Sequence, residues 1–336
     1  MRIAVIGAGG WGTALATLLV TIGHRVCLWV RRPALFTQLL STRENRVYLP
    51  GVTLPERLTY SISFSETVNQ ADLVVLSVPS HAMRIVVRQL SPALSGTPVL
   101  VSTTKGIEEE TLQTVTSILR DELPSPLHSH LAVLSGPSFA TDVARGLPIA
   151  VTVAAERETL AATVQNAFST AKFRVYTTTD IVGVEVGGAV KNVIAIAAGV
   201  SDGLGYGQSA RAALITRGLA EITRLAVRMG ANPQTLSGLS GMGDLVLTCT
   251  SNLSRNYTVG LRFGRGESES VGDILAGMTT IAEGVRTCRS VFSLAQRLGV
   301  EMPIVEQVYA LLYGGKPAHQ VAIDLLTREA KPEFSR

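Results

Sequence analysis
Six residues near the amino terminus, Gly7-Ala8-Gly9-Gly10-Trp11-Gly12, limit the folds open to this chain more than any other feature. They join an apolar, strand-like run at 3–6 to a stretch with helical periodicity at 13–22, which Gly23 stops before a second apolar run at 25–30. A G-x-G-x-x-G in that strand–turn–helix frame predicts a βαβ unit that binds a dinucleotide. Gly7 permits the tight turn, Gly9 lets the backbone approach a pyrophosphate, and Gly12 lets the helix pack closely on the strand. The N–H groups that open the helix have no partner within it, so they face the phosphates, and the helix dipole favours negative charge there. Residues 3–23 carry no charge and Arg2 precedes them, a composition shared with signal peptides and membrane helices. The glycine spacing would serve neither of those, so we read the segment as the turn of a cytoplasmic protein with no stable membrane insertion.

The end of the second run bears on the choice of cofactor. Folds that prefer NAD place an acidic residue there for the ribose 2′-hydroxyl. This chain has Arg31-Arg32, which suits a 2′-phosphate through charge-assisted contacts, unless the pair is simply solvated. NADPH is therefore the expected cofactor, with NADH possible. Further apolar runs at 73–78, 99–102, 131–134, 149–153 and 173–177 alternate with helical stretches. That alternation predicts a Rossmann-type, doubly wound parallel sheet whose ligands gather at the carboxyl ends of its strands. Three such ends are rich in hydroxyls and glycine: Ser77-Val78-Pro79-Ser80-His81, Ser102-Thr103-Thr104-Lys105-Gly106 and Ser135-Gly136-Pro137-Ser138-Phe139-Ala140. Beyond about Asp180 the β-branched runs stop and helical periodicity takes over. The expected organisation is a dinucleotide-binding domain at 1–180 and an all-helical domain at 181–336.

Lys191 lies where a soluble chain should avoid a charge, within the small, apolar segment 187–199. A helix of that composition is buried nearly all round, and lysine is almost never fully buried without a partner. A desolvated lysine has a lowered pKa and can exchange a proton near neutrality. The alternative is a lysine that snorkels outward to a structural partner. Gly187 and Gly188 beside it each cost a helix about 1 kcal/mol relative to alanine, which implies that a ligand or another helix approaches closely. Further on, Gly238–Leu245 combines glycines with the single carboxylate of Asp244, and Ser254-Arg255-Asn256 would make a phosphate clamp or a surface cap. Glu283 would contact the cofactor or act as the first-turn carboxylate of a helix.

With 46% hydrophobic and 17% charged residues, the 336-residue chain can bury a sizeable core and lacks the composition of a disordered one. The net charge of +4 is dispersed, which suits small anionic ligands and gives no nucleic-acid footprint. Cys27, Cys249 and Cys288 are odd in number and far apart, so neither a zinc site nor a disulfide framework is expected.

Taken with Val78-Pro79-Ser80-His81, Thr104-Lys105-Gly106, Gly188-Ala189-Val190-Lys191-Asn192 and Gly243-Asp244-Leu245, these motifs resemble the bacterial type of NAD(P)-dependent glycerol-3-phosphate dehydrogenase. The resemblance runs from Ile3 to about Leu326. It implies reversible reduction of dihydroxyacetone phosphate to sn-glycerol 3-phosphate for glycerophospholipid synthesis, with a homodimer as the working form. It further implies that Lys191 is the general acid–base group, and that Lys105, Gly136, Ser138, Asp244, Ser254, Arg255 and Asn256 contact substrate. Gly10, Trp11, Arg31, Arg32, Lys105, Ala140, Arg255, Ile281 and Glu283 would line the cofactor, with Asn192 and Thr248 as supporting contacts. Gly10 and Trp11 stand where relatives often carry Ser and Tyr, and Ile281 where they often carry Val. Two other readings are a 6-phosphogluconate or 3-hydroxyacid dehydrogenase relative and a non-catalytic NADPH-binding regulator. The Arg255-Asn256 pair argues against the first, and Lys191 with Lys105 against the second.

Overall fold
β1 (Arg2–Ile6) leads through the glycine turn into α1 (Gly10–Thr21) and on to β2 (Arg25–Trp29), as the pattern predicts. This computed structural model describes residues 1–268, 270–276, 282–330 and 332–333. After β2 come α2 (Pro33–Thr42), β3 (Glu44–Asn45), β4 (Leu49–Thr53), β5 (Thr59–Ser61), α3 (Phe64–Val68), β6 (Leu73–Leu76) and α4 (Ser80–Leu90). Then follow β7 (Val99–Ser102), α5 (Val115–Glu122), β8 (Leu131–Ser135), α6 (Ala140–Ala144), β9 (Ile149–Ala155), α7 (Glu158–Phe168) and β10 (Phe173–Thr178). An eight-stranded sheet is ordered β10-β9-β8-β7-β6-β1-β2-β5, and β3 and β4 form a separate hairpin. β6 is buried at all four positions, as expected of a strand with helices on both faces.

The all-parallel expectation needs one correction. The strands from β5 to β8 are mutually parallel, but β9 runs antiparallel to β8, and β10 follows β9 in parallel. A parallel partner requires a long crossover, usually through a helix that returns across the sheet. The β8–β9 connection has only the short α6, which packs against α1, so the chain comes back beside β8 in the opposite sense. The β9–β10 link carries α7 and restores the parallel crossover.

From residue 181 the described chain is helical: α8 (Ile181–Gly203), α9 (Gly207–Arg228), α10 (Pro233–Leu236), α11 (Asp244–Thr250), α12 (Arg255–Gly264), α13 (Val271–Ala276), α14 (Glu283–Leu298), α15 (Pro303–Tyr313) and α16 (Ala318–Leu326). α8 is the central post. Asp180 caps it, its carboxylate accepting from the Gly183 N–H at 2.9 Å. By length and composition α8 could cross a membrane, yet 94% of its most apolar window is buried against the rest of the chain, as in a core helix. Its buried Glu185 accepts from the Thr116 N–H at 2.8 Å and the Thr116 hydroxyl at 2.6 Å, which fastens α8 to the start of α5.

The α8–α12 crossing is a glycine contact. A Cβ on Gly199 would overlap the Tyr257 carbonyl oxygen, and one on Gly260 would overlap the carbonyl oxygen of Ile196. Backbone cannot yield as a side-chain tip can, so Gly260→Ala should cost about 3 kcal/mol, the upper end for overpacking. Chemical denaturation checks this; an unchanged midpoint would show that the two helices can part without cost.

Candidate active site
α8 delivers Lys191 to the carboxyl ends of the strands, where its side chain retains only 8% of its exposure. Its ammonium donates to Asp244 Oδ1 at 2.6 Å and to Thr248 Oγ1 at 2.7 Å. The Thr248 hydroxyl in turn donates to the Asp244 carbonyl at 2.6 Å, so only a lone pair is left to face Lys191. Asp244 Oδ2 accepts from Lys105 Nζ at 2.5 Å, and Lys105 Nζ also reaches the Gly136 carbonyl at 3.4 Å. Two ammonium groups therefore share one carboxylate that is 1% exposed. Desolvation lowers the Lys191 pKa to about 8; Asp244 opposes that shift and Lys105 adds to it.

The loops around the pair explain how they come to meet. Asp244 opens α11 directly after a π-helical turn at Leu239–Gly243, in which a Cβ on Gly241 would overlap the Leu236 carbonyl. Such turns recur at functional sites because they re-aim the residue that follows. The close approach implied by Gly187 and Gly188 comes from the protein itself. A Cβ on Gly187 would lie 2.8 Å from the Ser240 carbonyl, and one on Gly188 2.9 Å from Ser135 Oγ and 3.5 Å from the Lys105 stem. Glycine at 188 thus makes room for the Ser135 hydroxyl, with the stem of the second lysine in ordinary contact beside it. The loop after Lys105 is braced by Arg84, which donates to Glu108 at 2.8 Å, Gln113 at 2.6 Å and Glu122 at 2.8 Å.

The Ser-Arg-Asn segment starts α12. Ser254 caps the helix, accepting from the Tyr257 N–H at 3.3 Å, but it is buried and so is no surface cap. Asn256 Oδ1 accepts from the Gly284 N–H at 2.9 Å, which leaves its amide to offer N–H donors, the polarity an anion needs. A Cβ on Gly284 would come within 2.7 Å of both Asn256 Oδ1 and the Asn192 carbonyl, which explains why α14 begins so close to α8. Arg255 is exposed at the first position of α12. Burial pushes the Glu283 carboxyl up, and Arg255, Lys105 and Lys191 pull it back, which gathers Glu283 into the same electrostatic neighbourhood. Ser138 donates to the Gly136 carbonyl at 3.0 Å. Ile281 lies outside the described residues.

The glycine turn fits a dinucleotide. Gly7 takes φ +117°, and a Cβ on Gly12 would overlap the Gly7 carbonyl, while nothing approaches within 4 Å of a Cβ on Gly9. That open face lies over the start of α1, which has no side-chain cap, so its first N–H groups remain available to an anion. Gly10 is fixed by packing here, since a Cβ would sit 2.7 Å from the Tyr48 carbonyl and 3.7 Å from Ala140 Cβ. Trp11 is half-buried beside them. The two arginines differ: Arg32 donates to the Tyr48 hydroxyl at 2.6 Å and lies over its ring, whereas Arg31 is exposed beyond β2. Spacing alone missed Arg286 and Thr287; among the described residues the buried hydroxyls of Thr287 and of Ser135, at one of the strand ends named above, have no hydrogen-bond partner, and both lie where the two halves of the fold meet.

A glycine-turn sheet joined to a helical half that presents a desolvated lysine at the strand ends defines a nicotinamide-dependent oxidoreductase of the two-part Rossmann class. Models of the amino- and carboxy-terminal parts of NAD-dependent glycerol-3-phosphate dehydrogenase match residues 2–161 and 180–323. The chain is 53% identical over 332 residues to glycerol-3-phosphate dehydrogenase [NAD(P)+] of Geobacter sp. (strain M21), covering 99% of this chain and 98% of that protein. It is 54% identical over 335 residues to the Anaeromyxobacter dehalogenans (strain 2CP-C) protein of the same name, covering 99% and 100%. The crystal structure of glycerol-3-phosphate dehydrogenase from Coxiella burnetii superposes with a TM-score of 0.92 at 37% identity, over 97% of this chain and 99% of that one. The chain belongs to the NAD-dependent glycerol-3-phosphate dehydrogenase family and is an NAD(P)-dependent oxidoreductase.

Proposed function
We propose that the protein catalyses the reversible NAD(P)H-dependent reduction of dihydroxyacetone phosphate to sn-glycerol 3-phosphate. The observation that carries this reading is the Lys191–Asp244–Lys105 triplet at the strand ends, in which Lys191 and Asp244 are buried. When bound, NADPH supplies a hydride to the ketone carbon. Negative charge then grows on the ketone oxygen, where the Lys191 ammonium stabilises it and donates a proton. Lys105 adds positive potential and holds substrate. Arg255 and the Asn256 amide, with Ser254, bind the phosphate, and that remote binding energy orients the carbonyl. Gly136 and Ser138 line the substrate side. Gly7, Gly9, Gly10, Trp11, Gly12, Arg31, Arg32, Ala140 and Glu283 would hold the dinucleotide.

We divide the chain at residue 180, between the sheet and the helix that carries Lys191. In the cell we place the protein in the cytoplasm as a homodimer, where its product would furnish the backbone of glycerophospholipids.

The pH–rate profile tests the assignment of Lys191. Reduction needs the ammonium, so kcat/KM for dihydroxyacetone phosphate should fall as pH rises through about 8, where Lys191 loses its proton. Oxidation of sn-glycerol 3-phosphate needs the free amine and should fall as pH drops through the same value. Profiles with no break near that pH in either direction would remove Lys191 from the acid–base role.

A further inference from the structure
We propose that Arg286, on α14, completes with Arg31 and His81 a cationic clamp that reads the 2′-phosphate of NADPH from both halves of the molecule. The inference rests on the dinucleotide reading above. β6 and β2 flank β1 in the sheet, so residues just past their carboxyl ends stand on either side of the glycine turn. Arg31 lies just past β2, where NAD-binding folds place an acidic residue for the ribose. His81 lies just past β6, in the first turn of α4.

α14 reaches this edge from the helical half. A Cβ on Gly106 would overlap Ser80 Oγ and lie 3.5 Å from Thr287 Oγ1, so α4 and α14 pack against the same glycine. His81 and Arg286 are the chain neighbours of those two hydroxyl residues. Partial burial, then Arg286, then Arg31 hold the His81 imidazole below its usual range, which agrees with the three groups sharing one field. Arg31 and Arg286 are exposed, and among the described residues neither has an ion-pair partner. Converging cations repel one another unless an anion lies between them. A phosphate monoester supplies the missing charge and accepts the paired N–H donors of a guanidinium. Arg32 commits part of its guanidinium to Tyr48, which leaves the pair one arm short on its own loop. Arg286 provides that arm, so capture of the 2′-phosphate also ties α14 to the sheet.

Calorimetric titration with 2′,5′-ADP and 5′-AMP isolates the group at issue, since the probes differ only in the 2′-phosphate. In both Arg286→Ala and Arg286→Gln the affinity for 2′,5′-ADP should fall about tenfold, the loss expected for a charge-assisted contact. Affinity for 5′-AMP should be retained. Equal losses for both probes, or no loss in either variant while Arg31→Ala shows one, would overturn the role of Arg286 alone. Wild-type protein that binds the two probes equally would instead overturn the underlying NADPH reading.

Discussion

Lys191→Ala should lower kcat for dihydroxyacetone phosphate reduction by about 10³- to 10⁴-fold, the combined range for loss of a general acid and of charge stabilisation at the reacting oxygen. NADPH affinity should change little, because the glycine turn and Arg31 lie at other strand ends. The asymmetry follows from the geometry. Lys191 is held by Asp244 and Thr248, which fix its ammonium without neutralising the site, since Lys105 is bound to the same carboxylate. Removing Lys191 leaves the Asp244–Lys105 pair matched in charge, so the variant should fold. The check is single-turnover kinetics alongside a cofactor titration. A variant that binds NADPH and turns over at near-normal rate would contradict the account, and so would one that has lost cofactor binding.

Asp244→Ala should have the larger effect on stability. It strips the shared partner from two lysines, one of them buried, and breaking a buried ion pair typically costs about 3–5 kcal/mol. The cost should depend on pH in a defined direction. Without Asp244, which acts to raise the Lys191 pKa, that pKa falls further below its unfolded value, so the unfolded chain binds more protons than the folded one. Stability then rises with pH above the folded pKa, until the unfolded lysine also deprotonates at about 10.4. Urea denaturation of wild type and Asp244→Ala at neutral and alkaline pH measures this. The gap should narrow as pH rises toward about 8, where the wild-type Lys191 also loses its proton, and level off above it; a gap that does not narrow below that pH, or that widens, would show that charge imbalance is not the cause. Asp244→Asn keeps the shape and should lose less stability, while still depriving Lys191 of its counter-charge.

The fold was legible where one segment carries its own instructions. The strand–glycine turn–helix at the amino terminus, the apolar strands and the long helix around Lys191 all follow from periodicity and glycine placement. The direction of β9 was not legible, because an apolar run looks the same whichever way it runs. What reverses it is the short connection through α6, a property of packing against α1. The β3–β4 hairpin and β5 are too short and polar to show a pattern.

At the site, the unusual lysine and the isolated aspartate pointed to each other only through the family resemblance. Nothing local says that Asp244 meets two lysines, since Lys105 comes from the sheet half, Lys191 from α8 and Asp244 from α11. The glycine pair at 187 and 188 signalled a close approach correctly, but which groups approach was set by the π-helical turn and the strand end opposite. Arg286 was hidden for the same reason: its neighbours lie on the other half of the molecule.

The most direct test of the account is the absorbance of the reduced nicotinamide, followed with purified protein and dihydroxyacetone phosphate, with NADPH and NADH in parallel. The account predicts rapid oxidation of NADPH, slower oxidation of NADH, and little with unphosphorylated dihydroxyacetone, which lacks the group for the proposed Arg255–Asn256 clamp. Cofactor binding without oxidation of either nucleotide would contradict it and move the substrate to another small ketone.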